Sequence, residues 1–187
     1  MTIGARVART SAVLFSAALL AGCGQAAQTG NAAAGAGPQA AAPKAGTEAP
    51  GRCHTSMLSG SMGRVEAGAG QRYAELILTN RSGEPCTIYG YGGLQLVDAA
   101  GRPLPTELTR SPNPGPSPIE LAPGQAASAT LHWTANPHEG EPTDGPCQPT
   151  PATAQVIPPD ETDWVPVNWT GGPVCGWGDV EASAYHR

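Results

Sequence analysis

Residues 73–96, YAELILTNRSGEPCTIYGYGGLQL, decide the fold: they read as two strands joined by a polar turn, with a cysteine opening the second. Between 73 and 79 the residues favour β-structure and alternate. Ala74, Leu76 and Leu78 fall on one face and Glu75 and Thr79 on the other, the period of two that marks a half-buried strand, with Ile77 blurring the second face. Asn80, Arg81, Ser82, Gly83, Glu84 and Pro85 tolerate positive φ or fix φ, so the chain is expected to reverse before Cys86. Gly90, Tyr91, Gly92 and Gly93 are expected to make a further turn.

Working outward, residues 126–134 show the cleanest alternation in the chain. Ala127, Ala129, Leu131 and Trp133 form an expected core face, opposite Ser128, Thr130, His132 and Thr134. Residues 55–62 read as a first strand and 66–71 as a flexible turn leading to the central pair. After a tight turn at 98–101, Pro103 and Pro105 imply an edge position for the segment through Leu108. The four prolines of 111–118 and the polar run 136–151 read as loops, and 121–124 as a turn. Further short strands are expected at 154–157, 164–169 and 180–185. Seven to nine short strands, turn signals about every ten residues and no amphipathic helix predict an all-β, immunoglobulin-like antiparallel sandwich. The 25 glycines and 20 prolines among 187 residues agree, because both break helix interiors.

The N-terminal quarter reads differently. Arg6 and Arg9 precede an apolar run at 12–20, too short to span a bilayer, which takes about 20 residues. Leu20-Ala21-Gly22-Cys23 closes it and resembles a bacterial lipoprotein signal, in which the cysteine thiol receives a diacylglyceryl group and cleavage falls just before it. Residues 1–22 are therefore expected to be a signal peptide and Cys23 the lipidated residue, placing the protein on the outer face of the cell membrane. Residues 23–51, nearly devoid of large apolar side chains, are expected to be a flexible tether spanning on the order of 30 Å, ahead of a folded domain at 52–187. With a net charge of -5 and no cluster of Lys and Arg to meet phosphates, no nucleic-acid partner is expected. Between Arg110 and Arg187 there is no Lys or Arg but nine Asp and Glu, an acidic half that could meet a basic partner or a cation, or simply aid solubility.

Cys53, Cys86, Cys147 and Cys175 remain for an exported domain, an even count that implies two disulfides. Three connectivities exist; pairing of sequence neighbours, Cys53 with Cys86 and Cys147 with Cys175, is the expected one. Zinc is the rival reading, but no C-x-x-C pair supports it. The staples matter, since the sole Phe, Phe15, lies in the signal.

Cys53, Leu78-Thr79-Asn80 with Ser82-Gly83, Cys86, the Gly90 to Gly93 run, Leu121 with Pro123-Gly124, Leu131 and Trp133, Cys147 with Pro149, Pro158-Pro159-Asp160 and Val174-Cys175 form a pattern. It resembles the actinobacterial secreted and lipoprotein domains grouped as domain of unknown function 4232. One departure is Gly92, where proline is common in that family. The resemblance implies a β-sandwich in the envelope or outside the cell, and it brings no catalytic residues.

Chemistry-bearing motifs are sparse. Gly60-Ser61-Met62-Gly63 is not a nucleophile elbow, and Gly68 with Gly70 lacks the rest of a dinucleotide fingerprint. His54, His132, His138 and His186 look scattered, and Asp160, Glu161 and Asp163 fit no calcium loop, so no metal or cofactor is expected. Asn80-Arg81-Ser82 matches a glycosylation acceptor by coincidence. Tyr89, Tyr91, Trp164, Trp169 and Trp177 are the candidate binding residues, as flat rings for stacking on sugars or a protein, against a competing role in the core. The expected function is a monomeric, non-enzymatic binding or scaffolding module for an envelope protein or glycan. The alternative is an envelope hydrolase whose site is assembled from dispersed loop residues.

Overall fold

The computed structural model describes residues 49–187. The expected signal at 1–22, Cys23 and the tether as far as residue 48 lie outside the described residues. The chain is already engaged ahead of Cys53: the Gly51 carbonyl accepts the Thr87 N–H at 2.8 Å, and Arg52 bridges to Thr87 in parallel.

A 3-10 turn, Thr55–Met57, leads into eleven strands: β1 Leu58–Met62, β2 Glu66–Gly68, β3 Gln71–Asn80, β4 Cys86–Ile88, β5 Gly93–Val97, β6 Glu107–Arg110, β7 Ile119–Leu121, β8 Ala126–Thr134, β9 Thr153–Ile157, β10 Val165–Asn168 and β11 Asp179–Ala182. They form a six-stranded sheet in the order β1-β3-β8-β11-β6 with β2 added to β3, a three-stranded sheet β10-β9-β5, and a pair β4-β7. The inward residues of all three sheets share one core, so the smaller two make up the second layer of a sandwich.

The spine is β3 against β8, antiparallel from Gln71↔Thr134 to Thr79↔Ala126. Leu78 and Leu76 sit opposite Ala127 and Ala129, and all four are buried. Large side chains facing small ones leave room for the second layer to interdigitate. With no Phe in the domain, Trp133 and Trp169 supply the bulk, packed at 5.0 Å between ring centroids and buried. Gly171 lies against both, and a Cβ there would come within 2.4 Å of Trp133 Cζ2.

The central stretch needs correction. The strands flanking residues 80–85 do not pair with each other: β3 belongs to the large sheet, β4 pairs with β7, and β5 pairs with β9. Asn80 explains the crossing. Its side chain is fully buried, donating to the Glu84 carbonyl at 2.8 Å and the Leu121 carbonyl at 2.9 Å, while its oxygen accepts the Ser82 N–H and hydroxyl at 2.9 and 2.7 Å. All four hydrogen-bonding positions of the amide are filled, and the turn becomes a link from β3 into the β4-β7 pair. The same burial closes the side chain to any glycosylation.

Residues 89–92 likewise carry the chain between sheets. Gly92 runs close under β9, where a Cβ would meet the Ile157 carbonyl at 2.7 Å. The expected flexible turn at 66–71 is instead a hairpin of β2 and β3 closed by Ala69 and Gly70, at φ 49° and 80°. Strand β7, Ile-Glu-Leu, sits between two turn-rich segments too short to show alternation. The proline-bearing segment does lead to an edge, with β6 pairing parallel to β11.

Both disulfides join sequence neighbours, Cys53 with Cys86 and Cys147 with Cys175, at Cα separations of 4.8 and 5.5 Å. In the loop-entropy model each closure stabilises by about 3–4 kcal/mol. Asn80→Ala is expected to lower stability by about 1–3 kcal/mol, because it removes four hydrogen bonds and takes the amide donor from the buried Leu121 carbonyl. Gly171→Ala should cost about 1–3 kcal/mol by overpacking the tryptophan pair. In denaturant unfolding, Gly83→Ala, which has open space around it, should fall within about 0.5 kcal/mol of wild type.

Candidate functional site

The polar sides of β3, β8, β11 and β6 face away from the core, and one irregularity organises what they present. Along β11 the register with β8 runs Val180↔Trp133 to Ala182↔Leu131, yet the next bridge is Ser128↔His186, one residue out of step. The extra residue is a β-bulge at Ser183. Its hydroxyl accepts the Thr130 N–H at 2.9 Å and donates to the Ala184 carbonyl at 2.9 Å, replacing the interrupted ladder. A one-residue slip exchanges faces. Tyr185 consequently turns into the core, where burial pushes its phenol pKa up, and His186 emerges on the outer face.

His132 lies further along the same face, so these two histidines share one surface. Its ring stacks on Tyr73 at 4.5 Å and 14°, with Nε2 at 2.8 Å from Gln71 Oε1 and Nδ1 at 3.4 Å from Glu181 Oε2. On one side of this stack lies a shallow depression of about 280 Å³ bounded by Tyr73, Ser111, Asn113, Thr130, Glu181 and Ser183. On the other lies a second of about 280 Å³, bounded by Gln71, Thr109, Thr134, His138 and Asp179. His132 and Glu181 line both, so the two depressions adjoin across this pair and together form a shallow, divided groove on the sheet face. Tyr73 remains 43% exposed, leaving one side of the stack accessible to a ligand.

His186 meets Thr130 and Glu75 in a cluster that resembles a nucleophile–base–acid set in composition only. Thr130 Oγ1 donates to Glu75 Oε1 at 2.8 Å and lies 3.2 Å from His186 Nε2, and Glu75 Oε2 is 3.7 Å from that same nitrogen. A relay needs the carboxylate on the opposite ring nitrogen, but Nδ1 faces the Arg187 carbonyl at 3.3 Å. The cluster holds β3, β8 and the chain end together.

The aromatic residues singled out by sequence do not assemble into a platform. Trp169 is buried in the core, its Nε1 donating to the Gly172 carbonyl, which removes it from the binding set. Tyr91 donates to the Ser111 carbonyl at 2.9 Å and packs under the Arg110 guanidinium at 5.0 Å. Tyr89, Trp164 and Trp177 are exposed but stand on separate elements: the end of β4, the approach to β10, and the 175–178 turn. Tyr73, missed from sequence, sits at an outward position of the most regular strand. Its pairing with His132 arises from the β3–β8 register, Tyr73↔His132.

The acidic candidates also have structural occupations. Glu161 accepts from Thr55 N and Oγ1 at 3.0 Å and pairs with His54 and Arg52 at 3.0 and 3.2 Å; the Thr55 N–H leads in holding its pKa down. Glu141, in the 136–151 loop, is only 7% exposed. Its carboxylate accepts the backbone N–H groups of His138, Gly176 and Trp177 at 2.7, 2.9 and 2.8 Å and the Gln148 amide at 2.8 Å. Two of these donors converge because Gly176 and Trp177 adopt left-handed conformations, at φ 69° and 60°, forming an anion-binding nest. Glu141, Cys147 and Cys175 bring ligand-type atoms within 4.8 Å of one another, but both sulfurs are spent in a disulfide, which leaves a lone carboxylate for any metal.

An all-β, disulfide-stapled sandwich with an open groove on its larger sheet is the class of protein these features define. Residues 53–186 match the family model described as "Domain of unknown function (DUF4232)", and the chain belongs to that family. No curated protein and no solved structure shows a significant match.

The Glu141 nest has a pH signature. Burial pushes the carboxyl pKa up, but the four donated hydrogen bonds outweigh it and bring the pKa from 4.5 down to about 2. Its contribution to stability is therefore complete above the ordinary pKa and is lost as pH falls from 4.5 through about 2. Glu141→Gln should cost about 2–3 kcal/mol at neutral pH, and the gap from wild type should narrow by about pH 2, measured by denaturant midpoints.

Proposed function

We propose that the chain is a lipid-anchored cell-envelope protein whose folded domain is a non-catalytic, monomeric binding module for an envelope protein or glycan. Export is supported by the signal-like residues 1–22 and by two disulfides, which persist in oxidising compartments. The Leu20-Ala21-Gly22-Cys23 ending supports lipidation at Cys23 and retention at the outer face of the membrane.

One observation carries the binding assignment: the Tyr73–His132 stack, half-exposed at the centre of a groove whose rim is hydroxyl, amide and carboxylate. Recognition surfaces join flat rings, which lose little conformational entropy, to polar groups that orient the ligand. The groove is supported on paired strands, which pre-organises it.

A photo-crosslinking residue replacing Tyr73 in cells should capture a discrete partner, while the same residue at Trp164 should not. Equal labelling from both positions, or none from Tyr73, would refute the assignment. Cys23→Ala should move the protein from the membrane fraction to the medium or leave it unprocessed; unchanged membrane retention would exclude the anchor.

A further inference from the structure

We propose that the outer face of the six-stranded sheet docks a basic segment, rich in Arg or Lys, of a partner protein. The inference rests on reading this face as the binding surface and adds the chemistry of its occupant. Strand alternation and register place Glu66, Glu75, Glu107, Asp179 and Glu181 on that face. No Lys or Arg shares the outward positions of β2, β3, β6, β8 and β11. The two arginines of these strands have the opposite parity: Arg72 donates to the Gln71 carbonyl, and Arg110 covers the Tyr91 ring. At the margins stand Arg64, in the β1–β2 connection, and Arg187, whose guanidinium donates to the Glu120 carbonyl.

The spacing argues for a chain of cations rather than a single ion. Glu75 pairs with Thr130 and Glu181 with His132, so their backbone positions lie two strand spacings of about 4.8 Å apart across the sheet and two residues apart along it, about 12 Å in all. The two carboxylates are engaged by different residues of β8, Thr130 and His132, and are not drawn to one point, whereas successive side chains of an extended basic segment reach both. Exposed Tyr73 stands two residues from Glu75 on β3 and in the same cross-strand row as His132 and Glu181, a ring whose face attracts guanidinium. Phosphate-bearing or acidic ligands would meet like charge at all five of these carboxylates.

The test uses the full chain, isotope-labelled, titrated with a hexa-arginine peptide. Amide and ring resonances of Tyr73, His132 and Glu181 should shift, and affinity should fall steeply as salt is raised from about 50 to about 200 mM. Glu75→Gln with Glu181→Gln should weaken binding by about tenfold. Glu84→Gln with Glu120→Gln, of equal net charge but in the 80–85 turn and on β7, should change it by less than about twofold. Should the first pair disturb folding, Glu181→Gln alone, whose side chain is 41% exposed, makes the comparison. Equal losses in both pairs, or shifts that avoid Tyr73 and His132, would overturn the inference. If a neutral oligosaccharide shifts Tyr73 and His132 while the peptide does not, the basic-segment inference falls and the binding-surface reading stands.

Discussion

The fold depends on one buried amide. Asn80 ends the longest strand, and its four hydrogen bonds define where the chain leaves the large sheet and how it enters the second layer. A buried amide left half-satisfied is costly, so this geometry is nearly all-or-none. It fixes the 80–85 link, and that link sets β4 against β7 with Cys86 beside Cys53. The disulfide and the Leu-rich core stabilise this arrangement, whereas Asn80 makes it specific.

The groove follows from the same economy of structure. A single inserted residue at Ser183 exchanges the faces of the residues that follow β11, sending a tyrosine inward and a histidine outward. Regular pairing through residue 186 would place His186 in the core and Tyr185 on the surface. The β3–β8 register then supplies the Tyr73–His132 stack.

Much of the fold was legible because alternation reports directly on burial. Strands β3 and β8, with Leu76, Leu78, Ala127, Ala129, Leu131 and Trp133 inward, follow from period two, and the disulfide pairing follows from proximity in sequence. Strand partners were harder to read. The 80–85 segment has the composition of a hairpin turn, and only the burial of Asn80 distinguishes a link between layers. Three-residue strands such as β2 and β7 are too short for any period. The candidate site was less visible still. Tyr73 and His132 are 59 positions apart and meet only through register, and the bulge at Ser183 leaves no signature in residue type. Exposed aromatics were countable from sequence, but whether they converge depends on long-range pairing.

The Cys53–Cys86 bond also has a mechanical consequence. The described chain enters the domain at residues 50–52, held to Thr87, and the next residue but one after Gly51 is already covalently joined to β4. Tension applied from the N-terminal side passes through that sulfur bridge and bypasses the 33-residue span it closes. Strands β1, β2 and β3 lie inside that span, Tyr73 among them. Pulling on the chain therefore cannot peel them away one after another, and Tyr73 is spared the load carried by the backbone that leads to it.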